Sequence, residues 1–194
     1  MGEYEDTIES ALASIPQSLT ARLGTIRFNL DPSLGELSSR WTREDDGLRV
    51  DLAMEDTSPH DCAIELLTCL GQAVWESASS GAHQTWLQLL RAEIDANVTG
   101  EIDEVALIEK GLMLSSPLLA RSRRHLEKYA TAAFAGTLAE YVHSLWHDVT
   151  LREGEDYLPA AWLERRFAML RRWFPAEVPG RSRSTRHACR RRGA

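Results

Sequence analysis

Three side chains in the last third of the chain carry the strongest chemical pattern. Glu140, His143 and His147 stand three and four residues apart. In a helix this spacing projects all three within about 60° on one face. Two imidazoles and a carboxylate so placed form a ligand set for one divalent metal ion, zinc or iron. Glu65, in a much earlier segment, is the candidate catalytic base. It could act on a metal-bound water if its carboxylate came within about 3 Å of the proton. His60, five residues before it, could add to such a site. The competing reading makes Glu140, His143 and His147 a polar face lining a cleft or meeting solvent, turned away from the apolar side of the helix.

A second pattern runs from Asp95 to Ala106. Asp95, Asn97, Thr99 and Asp103 fall at oxygen-ligand positions, Glu101 adds a carboxylate between them, Gly100 stands at the sharp turn, and Ile102 is apolar. The stretch resembles an EF-hand calcium loop, and the resemblance implies calcium as a possible ion there. It departs at Ala106, where the bidentate Glu of such loops belongs. The competing reading is a Gly-containing connection between two helices.

These residues need elements to position them. Acids alternate with Ile8, Leu12 and Ile15 at helical spacing up to Pro16, which predicts a short amphipathic helix. Ile26, Phe28 and Leu30 alternate as a strand with one buried face. Residues 37–44 and 48–55 read as a hairpin around Asp45-Asp46-Gly47. Ser58-Pro59-His60-Asp61 then opens a helix to Ser77, with Ser58 as N-cap and Pro59 at the first helical position. Its apolar stripe is Ala63, Leu66, Leu67, Leu70, Ala73 and Val74. Helices are also expected over 83–94, 102–114 and 159–174, and one long helix from Ser116-Pro117 to about Val149. Strands first and helices afterwards predict an α+β domain over residues 1–178, a small antiparallel sheet followed by a mainly helical part. Residues 179–194 read as a disordered basic tail.

The helix after the hairpin resembles the active-site helix of zincin metallopeptidases, whose H-E-x-x-H motif holds zinc with two histidines and activates water with the Glu. The overlay places Ile64-Glu65-Leu66-Leu67-Thr68 on the motif, followed by Cys69-Leu70-Gly71. Glu65 and Gly71 match, and the layout extends over residues 25–149. Ile64 and Thr68 occupy the ligand positions and do not bind zinc as histidine does. The resemblance therefore implies a non-catalytic, protein-interacting relative of that family, with no cofactor. The alternatives are a metal-dependent hydrolase built on Glu65, Glu140, His143 and His147, and a helical scaffold or regulator. Glu140-x-x-His143 also resembles half of the di-iron pattern of ferritin-like bundles, but the chain has no second Glu-x-x-His.

Composition bounds the remaining choices. The chain has 194 residues, 43% hydrophobic and 26% charged, within the ordinary globular range. No apolar run reaches the ~20 residues that cross a bilayer, and the acidic start MGEYEDTIES has no apolar core of a signal peptide. A cytoplasmic protein without membrane contact is the expectation. Cys62 and Cys69 lie two helical turns apart, too far for a disulfide, and read as core residues. From Arg181 onward the chain carries six of its 22 Lys and Arg residues and none of its 29 acids. The acidic body argues against general nucleic-acid binding, and only the Arg-rich tail offers such a contact.

Overall fold

The computed structural model describes residues 2–147, 154 and 156–176. The expected basic tail lies outside them, as does the end of the helix expected to reach Val149. The described elements are α1 (Gly2–Ala13), α2 (Gln17–Leu23), β1 (Thr25–Asp31), β2 (Ser39–Glu44), β3 (Gly47–Ala53), α3 (Pro59–Glu76), α4 (Ser80–Asp95), α5 (Glu104–Ser115), α6 (Pro117–Ala120), α7 (Arg123–Trp146) and α8 (Ala160–Trp173). The α+β class is as expected. Helix α2 has no counterpart in the sequence reading, and the single long helix is two, broken at Arg121-Ser122.

The sheet corrects one expectation. Its order is β1-β3-β2. The hairpin pair β2–β3 is antiparallel, Trp41 opposite Val50, but β1 joins the other edge of β3 in parallel, Phe28 opposite Val50. The sheet is therefore mixed. Alternation within β1 marks a strand but carries no direction. Gly47 sets the parallel seam, because a Cβ there would come within 1.9 Å of the Thr25 carbonyl oxygen.

One face of the sheet rests on α3. Leu48, Val50 and Leu52 are buried in the core. Alternate residues of β2 reach along the same helix: Ser39 Oγ donates to Glu65 Oε2 at 2.8 Å, Trp41 Nε1 to Gln72 Oε1 at 3.0 Å, and Arg43 to the Ala73 carbonyl at 3.1 Å. Helix α3 starts as the sequence predicts. Ser58 Oγ accepts the Asp61 N–H and donates to the Asp61 carboxylate, and Pro59 occupies the first turn.

Helix α7 lies along α3 in the opposite sense, with His143 beside His60 and Ala135 against Gly71. A Cβ on Gly71 would stand 2.7 Å from Ala135 Cα. The small residue lets two backbones meet, as close helix packing requires. From Tyr129 to His143 most of α7 is buried, including Ala133, Phe134, Leu138, Tyr141 and Val142. It has no free polar face there, contrary to the expected one.

The other end of the helical part closes on a buried charge network. Arg166 of α8, fully buried, donates to Glu93 at 2.8 and 2.6 Å and to Glu101 at 2.8 and 2.5 Å. Lys110 Nζ reaches Glu93, Glu101 and the Gly100 carbonyl, and Tyr129 donates to Glu101 at 2.6 Å. Burial alone would raise the Glu101 carboxyl, but Arg166, Lys110 and Tyr129 outweigh it and hold it at about 2. Two acids face two bases, so the cluster is neutral and its donors are occupied. It ties α4, α5, α7 and α8 together.

Two predictions follow from this packing. Arg166→Ala leaves two carboxylates buried against one ammonium and should cost about 3–5 kcal/mol in urea unfolding; a loss below ~1 kcal/mol would show the network to be energetically idle. Gly71→Ala forces α3 and α7 apart and should cost about 1–3 kcal/mol by the same measurement. Unchanged stability would contradict the close approach.

Candidate metal centre

The N-terminus of α3 and the C-terminus of α7 meet at one end of their interface, and three histidines converge there. His60 occupies the first turn of α3, His143 the last full turn of α7, and His147 the C-cap of α7. One ring nitrogen of each lies within 4.8 Å of one from each of the others. His60 Nε2 and His143 Nε2 are 3.1 Å apart. Two ligands at 2.0–2.1 Å from a tetrahedral zinc stand about 3.3 Å from one another. The His60–His143 pair is thus already at ligand separation. His147, the exposed ring at the helix end, is the one free to adjust.

Trp146 forms the wall of this cluster. Its ring stacks on His60 at 5.6 Å with a 13° interplanar angle and lies 4.1 Å from the His147 ring. Its Nε1 donates to Ser10 Oγ of α1 at 2.9 Å, which fixes the indole. Three imidazoles and an indole so grouped restrict rotation of His60 and shield one side of the site from water.

The electrostatics favour neutral ligands. Burial pushes the His143 imidazole below its ordinary value; Glu140 pulls it back up, and His60 and His147 push it down again. His143 is therefore neutral at pH 7, the form that binds metal. Glu140 Oε2 stands 3.5 Å from His143 Nδ1. The carboxylate lies on the opposite side of the ring from Nε2, so Glu140 is not a ligand alongside His143 Nε2, as its spacing alone suggested.

The other expected site residues are placed elsewhere. Glu65 does not join the histidines: its carboxylate accepts from Ser39 and braces β2 on α3. The charges that act on His143 come from Glu140, His60 and His147. Ile64 and Thr68 carry no ligand role, and Thr68 Oγ1 donates to the Ile64 carbonyl within the helix. Residues of the calcium reading, 95–103, have other engagements in the fold. Asp95, Asn97 and Thr99 are exposed, Asp103 caps α5 by accepting the Ala106 N–H, and Glu101 is turned into the Arg166 network. Lys110 Nζ, bound to the Gly100 carbonyl and the Glu101 carboxylate, supplies a resident cation behind the loop.

His60 is the third ring of the cluster, which sequence reasoning left as an accessory. Its only signal was its place at a capped helix start, and nothing in the sequence pairs residue 60 with residues 143 and 147. Compared with known proteins, the chain matches no family model, no curated sequence and no solved structure.

The depressed His143 value has a thermodynamic consequence. The unfolded chain takes up a proton near pH 6.5 while the folded site does not, so stability is full above that pH and falls as pH drops through it. The metal-free protein should therefore lose stability between pH 7.5 and 5.5 in urea titrations, and His143→Gln should flatten that slope. An unchanged slope in the variant would show that His143 titrates as in the unfolded chain.

Proposed function

We propose that this protein is a mononuclear metal protein of the zinc class, with His60, His143 and His147 as its ligands and an open fourth position. The carrying observation is the convergence of three imidazoles from two helix ends, with one nitrogen pair at 3.1 Å. Among the described residues no fourth protein ligand joins the three histidines, and such a donor set is that of an open, hydrolysis-competent site rather than a closed structural one. Half-exposed His60 and exposed His147 leave that position accessible to water. Such a centre lowers the pKa of bound water to about 7 and supplies a hydroxide nucleophile without a separate base. This suits a site to which Glu65 does not contribute.

A second reading keeps the relationship to zincin metallopeptidases, with no catalysis and a protein partner. What favours it is Glu65 itself, retained on the helix behind the sheet yet engaged by Ser39 as a strut.

The test is metal content with activity. Purified protein equilibrated with zinc should hold one equivalent by atomic emission, and His60→Ala and His143→Ala should each lose at least tenfold in affinity. Cobalt in place of zinc should give the absorption of a four-coordinate ion. Wild-type protein that retains no zinc at micromolar free metal would sink the proposal. Stoichiometric zinc with no hydrolysis of a p-nitrophenyl ester would keep the zinc site and remove the hydrolytic role, whereas metal-free protein would favour the second reading.

A further inference from the structure

The structure holds a buried polar atom whose partner is not yet accounted for. His143 Nδ1 is shut off from solvent and makes no hydrogen bond of ordinary length. The nearest acceptor is Glu140 Oε2 at 3.5 Å, one turn back on the same helix. Both side chains are largely buried, 10% and 13% exposed. Glu140 has no other hydrogen-bond or ion-pair partner among the described residues. A mostly buried carboxylate and an imidazole nitrogen shut off from solvent thus face each other across 3.5 Å.

We infer that Glu140 is the positioning carboxylate of the metal centre, accepting the Nδ1–H of His143 so that Nε2 carries the lone pair. This rests on the three-histidine reading above. It explains the Nε2–Nε2 contact as well: with the His143 proton on Nδ1, His143 Nε2 accepts the Nε2–H of His60 across 3.1 Å. In the metal-free protein the order is therefore carboxylate, His143, His60, each link donating toward Glu140. When the ion enters, His60 Nε2 must present its lone pair. For that, the His60 proton would move from Nε2 to Nδ1 by way of solvent, on the side where Asp61 Oδ1 stands 3.8 Å away. No net proton is released from His143, which is already in the ligating tautomer. A carboxylate behind a ligating histidine both orients the ring and makes it a stronger donor. Glu140 thus acts through His143 and does not touch the ion.

Zinc affinity measured by competition with a chromophoric chelator tests this, using wild type, Glu140→Gln and Glu140→Ala. Glu140→Ala should bind zinc about 10- to 100-fold more weakly. Glu140→Gln should fall between, because the amide oxygen accepts the same proton but carries no charge. The cobalt spectrum should keep its position and intensity in both variants, since the ligand set is intact; a changed spectrum would make Glu140 a direct ligand and overturn the inference. Nitrogen-15 NMR of the metal-free protein should show His143 as the Nδ1–H tautomer in wild type and a mixture in Glu140→Ala. Affinities within twofold of wild type, with an unchanged tautomer, would overturn the positioning role even if melting falls. Wild-type protein that binds no zinc at all is a different failure, that of the three-histidine reading itself.

Discussion

The close antiparallel approach of α3 and α7 is the constraint on which the rest of the molecule depends. Gly71 lets the two backbones touch at Ala135, and the helices meet again two to three turns on, where His60 and His143 lie side by side. A larger residue at position 71 would push the two backbones apart at Ala135. The sheet, α1 and α5 all pack on this pair, and their side chains treat it as a fixed surface. Ser39, Trp41 and Arg43 hold β2 to α3, and Trp146 ties α7 to α1.

Charge is arranged in two different ways in the two halves of the fold. Around Arg166 the buried charges cancel, and every strong donor has an acceptor. Such a cluster is costly to break but does no chemistry, since it offers no free lone pair and no open position. Around His143 the polar atoms are incompletely matched: one nitrogen is without an ordinary bond, and three rings of the same kind crowd together. A buried polar atom without an ordinary bond calls for a physical explanation, which the charge cluster around Arg166 does not need. The contrast separates a structural cluster from a candidate site without any appeal to relatives.

Glu65 and Glu101 show how an acid in a suggestive motif can be spent on architecture. Each stands in a pattern associated with chemistry, a zincin-like helix in one case and an EF-hand-like loop in the other. In the fold each carboxylate meets a donor from a distant segment, Ser39 for Glu65 and Arg166 for Glu101. Neither donor is near in sequence, so spacing within the motif could not reveal the competition.

Local features were legible in the chain itself. Ser58-Pro59 marks a helix start, alternation marks the strands, and the three- and four-residue spacing of Glu140, His143 and His147 places them on one side of a helix, because helix geometry links residues within a turn. Tertiary structure alone decided the parallel seating of β1, the burial of His143 within α7 and the approach of the His60 ring to His143 and His147. Each depends on which surface packs on which across tens of residues. Periodicity shows that a side chain shares a face with its near neighbours; it does not say what that face will meet.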